Sequence, residues 1–263
     1  MSEMSESSAA GIPNLLQGRV VLITGASRGI GAATAKLLAL HGASVGVNYY
    51  KHVEAAKKVV DSITVEGGHA LAVQGDVRDE QQVASMVQRV SEQFGPIDTL
   101  VLNALTTNER TTPFLQLPWE DLKTHLDQEL EALFYPCKMV VPSMIEQKQG
   151  CIIVIGSNLS RNPTPGFMAH STSKGASESF VRSLALELGM HNIRVNTVAP
   201  WIIMTEANAF LPQQIKDMEA QMTPLKRNGQ PEDVAGAVLL LASSEARFIT
   251  GAYLPINGGR NML

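Results

Sequence analysis

The chain has 263 residues, a formal net charge of −4, and is 44 % hydrophobic but only 5 % aromatic and 17 % charged. That is long enough to bury a core without staples and too apolar for a disordered chain. It also lacks the basic footprint expected of a nucleic-acid binder.

Residues 1–14 open as MSEMSESSAAG, acidic and serine-rich. They carry neither the basic nor the apolar region of a signal peptide and read as a disordered tail, leaving 15–263 as one domain. Arg19–Thr24 reads as a strand and Gly29–His41 as a helix. Ala43–Asn48 is the next strand, followed by a helix over Val53–Val65. Strand Ala70–Gln74 leads to helix Glu80–Phe94, and strand Thr99–Asn103 to the long helix Trp119–Gln147. Strand Cys151–Ile155, helix Met168–Met190 and strand Arg194–Val198 complete the alternation. Alternation of this kind predicts βαβ crossovers. The near-continuous apolar strands predict a parallel sheet covered on both faces. The expected fold class is α/β, a Rossmann-type doubly wound parallel sheet in three α/β/α layers. Residues 200–230 break the rhythm and read as an irregular substrate lid. No apolar run approaches ~20 residues, so no membrane partner is expected. Cys137 and Cys151 lack metal or disulfide spacing and read as buried thiols in a reducing cytoplasm, with no metal site.

After the first strand comes Thr24-Gly25-Ala26-Ser27-Arg28-Gly29-Ile30-Gly31, then a helix. Glycines at this junction let the backbone approach a pyrophosphate, and the helix N-terminus offers N–H groups to it. With TGASRGIG in this place the chain resembles the short-chain dehydrogenase/reductase family, and the resemblance runs from Gly18 to Gly259. Gly75-Asp76-Val77 is similar to that family's adenine-contacting turn. Asn103-Ala104 stands where its NNAG motif ends the fourth strand, and Asn196 matches its motif on the sixth. Ile249-Thr250-Gly251 and Asn257-Gly258-Gly259 match its C-terminal segment. The resemblance implies a nicotinamide cofactor held by Gly25, Ser27, Arg28, Gly29, Ile30 and Gly31. Further contacts would come from Asn48, Tyr49, Lys51, Asp76, Val77, Asn103, Ala104, Lys174, Pro200, Ile203 and Thr205. The second strand ends in Val47-Asn48-Tyr49-Tyr50-Lys51, without the carboxylate that binds a ribose 2′-hydroxyl. Arg28 and Lys51 suit a 2′-phosphate instead, so NADP(H) is the expected cofactor.

The family's chemistry uses an Asn, a Ser, a Tyr and a Lys. Ser157 follows the fifth strand where the family has its Ser. Lys174, in HSTSK, stands at the family's Lys, but the tyrosine position holds His170, thirteen residues after Ser157 and four before Lys174. A four-residue spacing puts 170 and 174 on one helix face. None of the four tyrosines (49, 50, 135 and 253) has a Lys four places on. The Asn position falls on Glu129. Leu105 and Trp201 replace family glycines, and Pro136 is expected to kink the long helix near Glu129. An imidazole titrates near pH ~6.5 against ~10 for a phenol, so it exchanges protons near neutrality without a tuning cation. Glu129 would either pair with Lys174 or raise the proton affinity of His170.

Three readings follow. One is an NADP-dependent oxidoreductase acting on a carbonyl or hydroxyl, with Ser157, His170, Lys174 and Glu129 as the catalytic set. A second is a non-redox isomerase, dehydratase or cyclase that moves protons with His170 and Glu129. A third is a silent nucleotide-binding subunit, motivated by Leu105 and Trp201. Met204, Met218 and Met222 suggest an adaptable apolar wall suited to a hydrophobic or carrier-bound acyl substrate. The resemblance further implies a homo-dimer or homo-tetramer.

Overall fold

The computed structural model describes residues 14–107, 111–209 and 211–262. The expected tail therefore lies outside the described residues, Asn14 excepted. In chain order the elements are β1 (Val20–Ile23), α1 (Gly29–Leu40), β2 (Ser44–Tyr49), α2 (Val53–Val65), β3 (His69–Gln74), α3 (Glu80–Phe94) and β4 (Thr99–Leu102). They continue with α4 (Trp119–Gln147), β5 (Gly150–Ile155), α5 (Met168–Leu188), β6 (Ile193–Pro200), α6 (Gln213–Met222), α7 (Pro231–Ala242) and β7 (Tyr253–Ile256).

All seven strands pair in parallel in the order β3-β2-β1-β4-β5-β6-β7. Every residue of β1, β4 and β5 is buried, which explains their unbroken apolar sequences: each central strand has a helix layer on both faces. One face packs against α1, α2 and α7 through residues such as Val21, Ile23, Leu38, Ile63 and Val234. The other packs against α3, α4 and α5 through Leu22, Leu100, Met86, Val140 and Val181. The chain leaves β1 for β2 and β3 on one side, then returns to place β4 on the other. This reversal opens a crevice at the carboxyl ends of β1 and β4.

The structure refines several expectations. α4 continues unbroken through Pro136 and Pro142. α5 stops at Leu188, and a 3₁₀ turn over Gly189–His191 leads to left-handed Asn192. Segment 200–230, expected to be irregular, contains a short turn at Glu206–Asn208 and helix α6. α7 begins with reciprocal capping between Gln230 and Asp233, with Pro231 in its first turn. Cys137 and Cys151 are both buried free thiols, and burial pushes them up to about 12 and about 11, so both stay protonated and unreactive at neutral pH.

Close packing at the crevice explains the glycines after β1. A Cβ on Gly31 would sit 2.6 Å from both the Asn103 amide nitrogen and the Gly25 carbonyl oxygen. That amide donates to the Thr24 and Gly25 carbonyls at 2.9 and 3.0 Å, fastening the loop to the end of β4. Substituting Gly31→Ala therefore forces the loop away from Asn103. We expect a loss of about 1–3 kcal/mol in denaturant unfolding, together with weakened dinucleotide binding in titration calorimetry.

Candidate active site

The crevice is a cleft of about 880 Å³. Its floor at one end is the loop between β1 and α1. Arg28 caps α1 in an extended conformation without a side-chain cap, and the first turn carries no acid. The N-terminal N–H groups and the positive end of the helix dipole are therefore left for an anion. Gly25 has φ +62, and a Cβ there would lie 2.8 Å from the Ala104 Cα. A Cβ on Gly29 would reach within 3.3 Å of Thr205. Loop, β4 end and Thr205 thus enclose one narrow cradle, and its glycine backbone fits a pyrophosphate.

Asn48 holds this cradle in shape. Buried at the end of β2, its side-chain oxygen accepts from the Gly25 N–H at 3.0 Å, and its amide nitrogen donates to the Gly75 carbonyl at 3.0 Å. One side chain so ties the ends of β1, β2 and β3. Tyr49 packs into the core beside α1 and α2. Tyr50 is the half-exposed ring here: the Lys51 ammonium lies 5.0 Å from its centroid and the Arg78 guanidinium 5.8 Å. Both are cation–π distances. Arg78 also donates to Asp76 from two nitrogens, at 2.9 and 2.7 Å. The guanidinium holds the Asp76 carboxyl below the usual carboxylate range. Asp76, the acid of the turn after β3, is thus compensated before it can repel an anion at the Lys51 corner. Tyr50 and Arg78 escaped the sequence reading, although Arg78 directly follows the Gly75-Asp76-Val77 turn.

At the other end of the cleft lie Ser157, His170 and Lys174. Ser157 lies two residues past β5, where it caps a short turn over Asn158–Ser160, and its hydroxyl accepts from the Leu159 N–H at 3.2 Å. The Tyr253 hydroxyl on β7 donates to the Ser157 carbonyl at 3.3 Å. The Arg161 guanidinium covers the Tyr253 ring at 3.9 Å and binds Glu178 of α5 with two nitrogens. Burial alone would raise the Glu178 carboxyl, but Arg161 and Arg182 together hold it below its ordinary value. The Ser157 turn is thereby braced from α5 and β7.

His170 and Lys174 occupy one face of the first turns of α5, both buried. The Lys174 ammonium donates to Glu129 of α4 at 2.8 Å and to the Ile155 carbonyl at 3.4 Å. The same Glu129 oxygen accepts from Ser177 at 2.7 Å. Of the two roles foreseen for Glu129, the structure displays the pairing with Lys174. Glu129 lies behind the cleft and does not line it.

The third wall comes from segment 200–230. Trp201, Leu211, Ile215 and Glu219 line the cleft, whereas the expected Met204, Met218 and Met222 do not, and Met218 and Met222 are half exposed. The Trp201 indole N–H donates to the Glu219 carboxylate at 3.0 Å, and Arg260 donates to the same oxygen at 3.0 Å. Trp201, α6 and the C-terminal segment are thus clasped by one buried carboxylate, a role visible in the sequence only as an unusual Trp. Leu105, at the other glycine position, is half exposed in the cleft. Among the described residues no group of His, Cys, Asp and Glu could hold a metal ion.

The Glu129–Lys174 pair is buried on both sides, with side chains 8 % exposed. Removing one partner leaves an uncompensated charge in the interior, which costs ~3–5 kcal/mol. Lys174→Met and Glu129→Leu should each lower the unfolding free energy by about that much, while the double variant should recover most of the loss in a denaturant double-mutant cycle.

A sequence model described as Enoyl-(Acyl carrier protein) reductase matches residues 25–261. The chain is 36 % identical over 242 residues to the Staphylococcus aureus 3-oxoacyl-[acyl-carrier-protein] reductase FabG, covering 92 % of this chain and 97 % of that one. It is 37 % identical over 248 residues to an L-rhamnose 1-dehydrogenase (NAD(P)(+)) of Sphingomonas, covering 93 % and 97 %. Among solved structures, a 7 alpha-hydroxysteroid dehydrogenase complexed with NADH and 7-oxo glycochenodeoxycholic acid superposes with a TM-score of 0.88 at 34 % identity. The match covers 94 % of this chain and 95 % of that one. Fold, cradle and relatives agree: the chain belongs to the short-chain dehydrogenase/reductase family of oxidoreductases.

Proposed function

We propose that the protein is an NADP-dependent oxidoreductase that interconverts a carbonyl and a hydroxyl group, with His170 in the proton-transferring role. The observation that carries this reading is the sharing of one cleft by the glycine cradle, Ser157 and His170, while Lys174 is paired with Glu129 behind it.

The cradle of Gly25, Ser27, Arg28, Gly29, Ile30 and Gly31 would hold the pyrophosphate, with Thr205 closing it. Asp76, Val77, Asn103 and Ala104 would line the adenine and ribose end. Pro200 and Ile203 would lie along the far wall, and Asn48 and Tyr49 would act by shaping the strand ends. When bound, the dinucleotide supplies or accepts the hydride. The chain's own groups do the rest. Ser157 orients the substrate oxygen by hydrogen bonding. His170 gives that oxygen its proton in reduction and removes it in oxidation. Lys174 anchors α5 to β5 and α4 and presents its remaining N–H toward the cleft. Glu129 balances the Lys174 charge, a role that disfavours the non-redox reading, in which Glu129 would itself move protons from outside the cleft.

Lys51 and Arg28 are exposed at the corner where a 2′-phosphate would lie, with Asp76 neutralised by Arg78. Lys51→Ala should weaken NADPH binding about tenfold or more, the scale of a lost charge-assisted hydrogen bond. NADH binding should stay unchanged in the same fluorescence titration.

No described helix is long and apolar enough to cross a membrane. We infer a cytoplasmic homo-dimer or homo-tetramer, supported by the exposed apolar residues Phe134 of α4, Leu186 of α5, and Met190 and Phe248.

The direct test is NADPH oxidation against a panel of carbonyl compounds. His170→Ala should cut kcat/KM by about 10²–10⁴ with thermal stability and NADPH affinity retained, and Ser157→Ala should also lower it. Unchanged turnover in His170→Ala would overturn the role of His170. Product formation without any change in nicotinamide absorbance would establish a non-redox reaction instead.

A further inference from the structure

Beside the main cleft lies a second cavity of about 330 Å³, at the lower end of small-molecule pockets, which run ~300–1,000 Å³. Arg78, Thr106, Thr107, Phe167 and His170 line both spaces, so these residues form the partition and His170 faces each side. The far walls come from the first turns of α4, through Asp121, Thr124, His125 and Gln128, and from Thr112 in the connection before it.

Two observations say what this cavity would take. First, nine of the thirteen described residues on its walls carry hydrogen-bonding groups, namely four threonine hydroxyls, a primary amide, two imidazoles, a carboxylate and the Arg78 guanidinium, while about half of the wall surface is apolar, as a carbon skeleton bearing hydroxyls requires. An alkyl chain placed there would strip water from these groups and return no hydrogen bond. A carbon skeleton bearing hydroxyls would satisfy them while laying its C–H surface on the Phe167 ring. Second, the Thr106 hydroxyl in the partition is sealed from solvent and has no hydrogen-bond partner. Buried hydroxyls are nearly always paired, and a rotation of the Thr106 side chain toward the cavity would give this one a partner in a polar ligand atom.

We propose that this side cavity is the specificity pocket, and that the substrate is a hydroxylated carbonyl compound, of the class of hydroxy-ketones, aldoses and their polyol products. Its reacting carbon lies at His170 and its hydroxyl-bearing end fills the cavity. The proposal rests on the reading of His170 as the proton-transferring group. It departs from the carrier-bound acyl chain that the methionines of segment 200–230 suggested, in keeping with their absence from the cleft wall.

The experiment compares NADPH-dependent turnover of three series: hydroxylated carbonyl compounds, the same skeletons without the distal hydroxyls, and 3-oxoacyl thioesters. It uses the full chain and the variants Thr124→Val and Gln128→Leu. The expected result is that the hydroxylated series is preferred. A site built to hydrogen-bond a hydroxyl rejects the analogue lacking it by up to ~10⁴–10⁵-fold. Each variant should lower kcat/KM for the hydroxylated series at least tenfold and narrow its advantage over the deoxygenated one, with NADPH affinity and thermal stability unchanged. Calorimetry with a hexitol and NADPH, where no oxidised cofactor is present to accept a hydride, supplies a readout free of turnover: binding to the wild type that weakens in both variants supports the pocket. Turnover of the thioesters or deoxygenated compounds alone, or hydroxylated turnover and hexitol binding untouched by both substitutions, overturns this proposal and leaves the role of His170 standing. Silence across all three series with NADPH bound overturns the redox reading and this proposal with it.

Discussion

The Lys174 ammonium, 2.8 Å from the Glu129 carboxylate and within reach of the Ile155 carbonyl, is the knot at which α4, α5 and β5 meet. A charge at that depth is tolerated only with its partner, so the pair fixes where α5 begins relative to the end of β5. Ser157 and His170 inherit their positions from it. Ser157 is two residues beyond Ile155, and His170 is one turn before Lys174 on the same face.

On the proposed reading, the pair also accounts for His170 and Glu129 occurring together. A phenol ordinarily holds its proton up to about pH ~10 and needs a neighbouring cation to release it near neutrality. With a carboxylate in contact with the ammonium, the field of Lys174 at position 170 is largely cancelled. That environment suits an imidazole, which exchanges protons near neutral pH unaided. On the proposed mechanism, Glu129 and His170 therefore act as a coupled pair. The cradle leaves no room for a side chain at positions 25 and 31, where an added Cβ would fall 2.8 Å from the Ala104 Cα and 2.6 Å from the Asn103 amide nitrogen.

The fold was legible because a parallel sheet covered on both faces writes itself as apolar strands between amphipathic helices. All six strands read from periodicity lie within one or two residues of their observed ends. The seventh, Tyr253–Ile256, carries a proline and only four residues and was not read as a strand, although motif matches flank it on both sides. That Ser157, His170 and Lys174 share one cleft was legible because their spacing runs along one strand-loop-helix unit, which survives folding. What escaped depends on chain-distant packing. Arg78 reaches Tyr50 only because β2 and β3 end side by side, and Glu219 finds Trp201 and Arg260 only once α6 crosses the cleft. Asn48 reads as a ligand contact and turns out to spend its amide on the backbone of two other strand ends. Local sequence also misjudged the methionines of segment 200–230: the helical phase of α6 places Ile215 and Glu219 at the cleft in place of Met218 and Met222, and Leu211 ahead of α6 lines it where Met204 does not.

The central claim is that His170 works as proton donor because Glu129 has neutralised Lys174. The most direct measurement is the rate of NADPH-dependent carbonyl reduction at neutral pH in His170→Tyr and in His170→Tyr combined with Glu129→Asn. The account predicts that the single variant stays far below wild type, since its phenol lacks an uncompensated cation, and that the double variant regains a substantial part of the activity. Wild-type turnover in the single variant, with no gain from Glu129→Asn, would contradict it.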